Sequence, residues 1–206
     1  MSPRSYKQFC ALARALDVIG DRWTLLIVRN LLLGPQTWSQ LKTHLPGLAT
    51  NLLSTRLEQL QRDDLIDKSD TGYSLTEMGE TLETPLFAIA EWGEAHAFGP
   101  PKEGEVMRLR YLFTSVRRKL KAAAPEADAV LQIAVDDEHY VVQWGAGSTI
   151  SQGPPGGSAD ASWSTDFEGL RALLFSSEDA AVIAGRSQSF KGDVSMLERL
   201  RQLTRD

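Results

Sequence analysis

Thr50, Asn51, Ser54 and Thr55 open a segment in which Leu53, Leu57 and Leu60 fall on one helical stripe. Short polar side chains at the start of a helix suit the reading of base edges. An Asn amide offers a donor beside an acceptor and can pair with adenine in a bidentate manner, and Ser or Thr hydroxyls serve several bases. Thr37, Ser39 and Lys42 precede this segment and join the candidate DNA-contacting set. Arg56 lies beside the apolar stripe, so it either snorkels to a phosphate or pairs with a carboxylate inside the domain. Lys68 stands further on, where a hairpin is expected to meet the DNA backbone. The bland alternative for the whole segment is an ordinary amphipathic surface helix.

Other chemistry finds little support. His44, His96 and His139 are scattered and have no ligand spacing with Cys10, so no metal site is expected. There is no phosphate-binding P-loop, and Gly145-Ala146-Gly147 lacks the third glycine of a dinucleotide fingerprint. Asp136-Asp137-Glu138 reads as a solvated turn, and no serine sits in a nucleophile-elbow setting. The sequence therefore predicts neither an enzyme nor a cofactor.

The elements that must position the polar residues are legible from periodicity. Leu12, Leu16 and Ile19 space a first helix, broken by Gly20. Asp21 can cap a second helix over about 22–33, with Trp23, Leu26, Ile27, Asn30 and Leu31 as one face. Gly34-Pro35 ends it. Thr37 then caps a short helix to about His44, Pro46-Gly47 turns, and a fourth helix runs from about Ala49 to Arg62. A short helix, a tight turn and a second helix with a polar outer face form the helix-turn-helix plan. Residues 65–68 and 73–75 read as two strands around a turn at 69–72, which makes a wing. One long helix follows over 76–97, kinked at Pro85, with Met78, Leu82, Leu86, Ile89, Ala90 and Gly93 as its stripe and Trp92 as an aromatic anchor. The stripe either packs against its own domain or is shared with a dimer partner, and the little core that so small a domain can spare favours the shared role.

Gly99 to Gly104, with Pro100 and Pro101 inside, reads as a linker between domains at 1–98 and 105–206. The second half mixes helices and strands. A helix over 106–124 carries the basic run Arg117-Arg118-Lys119, and strands follow at 128–135, 140–144, 159–164 and 187–191. Ser148 to Ser158 reads as a long loop. Thr165 to Glu168 fits a capping box, Ser177-Glu178-Asp179 opens another helix, and Asp193 starts the last. The fold class is thus a mainly α winged helix-turn-helix followed by an α+β domain.

Composition sets limits on both halves. Residues 1–98 carry nine Lys/Arg against twelve Asp/Glu, so any DNA affinity must come from a local patch doubled by dimerisation. The start MSPRSYKQFC lacks the apolar stretch of a signal peptide, and no run approaches the roughly 18 apolar residues of a membrane span. A single cysteine fits a cytoplasmic location.

The segments CALARALDVIGDRWTLLIVRNLLLG (10–34), TWSQLKTHLPGLATNLLSTRLEQLQRDDLI (37–66) and YSLTEMGETL (73–82) resemble the HxlR-type winged-helix regulators. The resemblance implies a homodimer, paired through terminal helices, on a near-palindromic double-stranded DNA operator. It further implies that some members sense oxidants at the position of Cys10; a lone cysteine on an apolar helix face is otherwise a small buried residue. ADASWSTDFEGLRALL (159–174) and AVIAGRSQSFKGDVSMLERL (181–200) resemble the sterol-carrier-protein-like fold. That resemblance implies an apolar cavity for a hydrophobic small-molecule effector, with Leu112, Phe113, Trp144, Trp163, Leu170, Leu174 and Phe190 as lining or as plain core. Two rival readings stand beside the regulator: a lipid carrier using the winged helix as a dimerisation scaffold, and a redox switch at Cys10.

Overall fold

The computed structural model describes residues 5–123, 127–154 and 156–204. The chain folds as two compact units that divide between Val106 and Met107.

The first unit begins with α1 (Ala11–Ile19), α2 (Thr24–Leu31), α3 (Trp38–His44) and α4 (Thr50–Arg62). The hairpin β1 (Ile66–Ser69) and β2 (Gly72–Leu75) follows, then α5 (Glu77–Glu80) and α6 (Glu83–His96). Leu53, Leu57 and Leu60 of α4 sink into one apolar cluster with Ile27, Leu31, Leu41, Leu45, Leu48, Leu65, Ile66 and Tyr73. The same cluster therefore fixes α4 to α2, α3 and the hairpin. A second cluster joins Val28 and Leu32 to Leu86 and Phe87 of α6.

Several elements depart from the sequence reading. In α1 only Ala13 is buried, and Leu12 and Leu16 point to solvent. Helical spacing identifies an apolar face without saying what covers it. In α2 the expected inward Leu26 is exposed, and Val28 is buried instead because α6 packs against that side. The expected long helix over 76–97 is broken at Thr81–Leu82. Pro85 does not kink it. Pro85 occupies the first turn of α6, where a missing N–H costs no helix bond. Residue 69 belongs to β1 and residue 72 to β2, so the turn shrinks to Asp70-Thr71.

The hairpin also has an unexpected neighbour. Gln36 and Tyr73 exchange both backbone bonds, at 2.9 and 2.8 Å, which laces the residue before the Thr37 cap to β2. Gly72 has φ +120°, and a Cβ there would lie 2.4 Å from the Gln36 carbonyl oxygen. Glycine is thus required for both the turn and the lacing.

The second unit opens with α7 (Leu109–Ala122) and a hairpin of β3 (Ala129–Val135) and β4 (Glu138–Trp144). Next come β5 (Thr149–Gln152), β6 (Ala161–Thr165), α8 (Phe167–Phe175), α9 (Ala180–Arg186), β7 (Ser189–Gly192) and α10 (Ser195–Gln202). The strands form one mixed sheet in the order β5-β4-β3-β6-β7, with β3 and β6 parallel. Burial alternates between buried and half-buried along β3 and β6, so one face of the sheet carries the core and the other is partly covered. The expected loop at 148–158 contains β5, which completes the sheet edge beside β4. The N-cap of α8 is Asp166, accepting from Gly169 N, rather than Thr165, which ends β6. Likewise Asp179, accepting from Ala181 N, caps α9 in place of Ser177. The end expected for the first helix, Ala124, lies outside the described residues.

Polar groups tie this unit together. Arg110 donates to Gln152, and Gln152 donates to Glu138 at 2.5 Å. Tyr140 also donates to Glu138, at 2.6 Å; burial first, and that bond second, push its phenol above the ordinary tyrosine range. Arg201, almost wholly buried, donates to the Leu173 carbonyl at 2.8 Å and holds α10 against α8.

Candidate nucleic-acid interface

The α3–turn–α4 pair is built from local capping and a few side-chain links. Thr37 accepts from Gln40 N while Gln40 reaches back to Thr37 N, closing a capping box at the start of α3. Trp38 Nε1 donates to Ser54 Oγ at 3.2 Å, which links α3 to one flank of α4. Lys42 donates to the Leu48 carbonyl across the turn. His44 and Gln36 meet at 2.7 Å.

Burial of the Leu53, Leu57 and Leu60 stripe leaves an exposed outer face on α4. Thr50, Asn51, Thr55 and Glu58 stand on it, with Ser39 of α3 also exposed. The candidates are not equivalent there. The Thr55 hydroxyl donates back to the Asn51 carbonyl at 2.9 Å, so toward a ligand it acts mainly as an acceptor. Ser54 is half-buried and already accepts from Trp38. Thr37 spends its oxygen on the cap. Asn51 is exposed near the N-terminal end of α4, and its amide sets a donor beside an acceptor.

The cations are similarly sorted. Arg56 adopts the second of its two expected roles, an ion pair with Asp21 at 2.7 Å. Lys68 lies in β1 opposite Tyr73, with its ammonium 5.6 Å from the ring centroid rather than extended at the hairpin tip. The tip itself is Asp70-Thr71, where Thr71 and Ser69 hydroxyls meet at 2.9 Å. Sequence reasoning gave Asp21 only the cap of α2, but that helix starts after Trp23 and has no side-chain cap, and the links made by the turn before it were missed. Asp21 accepts from Trp23 N at 2.9 Å as well as from Arg56, and the Arg22 guanidinium lies 5.3 Å from the Trp23 ring centroid. Only the Arg and Trp adjacent to each other hinted at this; the Asp21–Arg56 contact joins residues too far apart for periodicity to reveal.

Outside this interface, Cys10 is exposed just ahead of α1. Its neighbours Tyr6, Phe9, Leu12, Leu16 and Val18 are exposed too, as are Ile89, Trp92 and Phe98 in and after α6. Among the described residues no His, Cys, Asp and Glu cluster suits a metal ion, and no helix is long and apolar enough to cross a membrane.

In the second unit, Phe113, Trp144, Trp163, Leu170 and Leu174 are buried, and Leu112 and Phe190 are half-buried. Phe113 stacks on Tyr140 with ring centroids 3.9 Å apart. A cleft of about 470 Å³ opens elsewhere, between the end of β6, α8 and α9. It is lined by Asp166, Glu168, Arg171, Glu178, Arg186 and Gln188 among others, and by none of the seven apolar candidates. Its arginines are held by neighbouring carboxylates, Arg171 by Glu168 and Arg186 by Glu178.

With this geometry in place, residues 18–99 match the family described as HxlR-like helix-turn-helix. The HTH-type transcriptional regulator Rv3095 of Mycobacterium tuberculosis is 35% identical over 108 residues, spanning 49% of this chain and 66% of that protein. This chain thus spans just under two thirds of that relative. The HTH-type transcriptional regulator YvaP of Bacillus subtilis is 34% identical over 86 residues, spanning 38% of this chain and 80% of that protein. Among solved structures, the protein PA1607 is 37% identical, covers 50% of this chain and 75% of that one, and superposes with a TM-score of 0.42.

Proposed function

The chain belongs to the HxlR-like helix-turn-helix family, and on that premise we propose that it is a cytoplasmic, homodimeric transcriptional regulator. Each α4 enters the major groove of one half of a near-palindromic operator, with Asn51 as the principal base-reading side chain and Thr50, Ser54 and Thr55 around it. The carrying observation is the exposed Asn51 amide on the outer face of a helix whose other face is locked into the core. Ser39, Lys42 and Lys68 supply backbone contacts, the two lysines with the ammonium donors that their ties within the fold leave over, while Thr37 is held by its cap. The domain is poor in uncommitted cations, so binding is weak as a monomer and strongly salt-dependent. Dimerisation through the exposed apolar residues of α1 and α6 compensates.

The second unit reads as a sterol-carrier-like domain that binds a hydrophobic effector. Its mixed sheet with one helix-covered face supports the architecture. The dense packing of Phe113, Trp163 and Leu170 means that a ligand must displace side chains to enter. A second reading, redox control, is favoured by the exposure of Cys10 in the single chain.

Electrophoretic shift of duplex DNA from immediately upstream of its own gene tests the regulator reading. A sequence-specific shift at low salt that weakens as salt rises is the expected result; no shift overturns it. Additions to the shifted complex separate the control mechanisms. Release by long-chain fatty acid supports the effector site. Release by oxidant that Cys10→Ser removes supports the thiol. Oxidant release that persists in Cys10→Ser rules the thiol out.

A further inference from the structure

We propose that the turn Asp21-Arg22-Trp23 is a second DNA-facing element, in which Arg22 grips a backbone phosphate on the side of α4 opposite α3. The inference rests on α4 being the groove-entering helix and adds a contact that neither the helix-turn-helix plan nor the wing supplies.

Residues two apart on a helix point in nearly opposite lateral directions. Ser54 points toward α3 and accepts from Trp38. Arg56 points to the other flank and pairs with Asp21 at 2.7 Å. The outer face carrying Asn51 and Thr55 lies between these flanks. Thus α3 borders the ridge on one side, and the turn before α2 borders it on the other. A major groove about 12 Å wide is walled by two phosphate backbones. When the ridge enters, α3 meets one wall and the Asp21–Trp23 turn meets the other.

The turn is built to hold a cation there. The Asp21 carboxylate bonds Trp23 N with one oxygen and Arg56 with the other, so backbone and helix are clamped by one group. Trp23 is packed against the apolar cluster and reaches the Pro46-Gly47 turn; a Cβ on Gly47 would lie 3.9 Å from its ring. Arg22 lies over that fixed ring and is exposed. Among the described residues it has no carboxylate partner, whereas Arg56 is neutralised by Asp21. A guanidinium stacked on an aromatic face keeps its N–H groups directed outward in a plane that suits a phosphate. The arrangement also answers how an acidic domain approaches DNA: the charge lies where the backbone passes.

The test is the salt dependence of binding to mixed-sequence duplex DNA, measured by fluorescence anisotropy with the full chain. Each lost phosphate contact lowers the slope of log affinity against log salt by about 0.9. Arg22→Gln is expected to lower the slope by that amount per subunit and to weaken low-salt binding several-fold, equally for all sequences. Arg22→Lys is expected to keep the slope. Binding by the unaltered protein with an unchanged slope in Arg22→Gln overturns this inference and leaves the regulator reading intact. An equal loss of slope in Arg22→Lys overturns the phosphate contact as its cause. Absence of any salt-dependent binding by the unaltered protein overturns both.

Discussion

On the proposed dimeric reading, replacing Ile89 and Trp92 together by glutamate is expected to convert the protein to monomers and to remove operator binding at concentrations that saturate the unaltered protein. Both side chains are more than half exposed on α6, and both are large and apolar. Leu12 and Leu16 of α1, with Phe9 ahead of it, are left exposed in the same way. Water-exposed apolar rows of this size mark an association surface. A buried aromatic or aliphatic anchor at such a surface is worth about 2 kcal/mol or more, so each replacement weakens the dimer roughly 30-fold. Carboxylates facing carboxylates across a two-fold axis add repulsion. The core of the first unit is untouched, since the buried residues of α6 are Leu86 and Phe87. The expected signature is therefore a halved mass by sedimentation, loss of the shifted DNA complex, and a melting transition that stays cooperative but no longer depends on protein concentration. A variant that remains dimeric moves the interface elsewhere.

Asn51→Ala is expected to blur operator choice rather than to abolish binding. The amide is exposed, and no core contact depends on it. A bidentate base contact is worth about 1–3 kcal/mol of discrimination, roughly 5- to 150-fold in relative affinity at the contacted position. Affinity for mixed-sequence DNA and its salt slope should stay as they were, because no phosphate contact is lost. Competition between operator and single-position variants measures this directly. Unchanged preference at every position removes Asn51 from the base-reading set. The contrast with Arg22→Gln is diagnostic: one variant changes preference without slope, the other slope without preference.

What the sequence revealed depended on the range of the interaction. Leu53, Leu57 and Leu60 marked α4 and its outer face because a helix repeats within a few residues, and all three are buried. The Thr37 cap and the two short strands were equally local. Leu12 and Leu16 show the limit of periodicity: they are an apolar face, but the first unit does not cover it. Leu26 and Val28 exchanged places because α6, far along the chain, decides which side of α2 is inside. Thr149–Gln152 was hidden by the Gly, Pro and Ser around it; only pairing with β4 makes it a strand. The Gln36–Tyr73 bridge and the Asp21–Arg56 pair join distant positions, and nothing local announces them. Thr50, Asn51 and Thr55 were therefore legible as residues of one outer face, whereas the engagement of Ser54, Thr55 and Arg56 within the fold was not.

The apolar residues named in the second unit illustrate the same point in reverse. Phe113, Trp163, Leu170 and Leu174 were recognisable as inward-facing. Whether an inward residue packs core or lines a cavity depends on how completely its neighbours fill the space, which spacing does not encode.

Selection of bound sequences from a pool of randomised duplex DNA tests the central claim most directly. Enrichment of one near-palindromic sequence with two half-sites about one helical turn apart is expected, as two α4 helices related by a two-fold axis require. The Asn51→Ala protein is expected to lose preference at one position in each half-site. Recovery of a pool no different from its input, under low-salt conditions in which the protein is folded and dimeric, contradicts that claim.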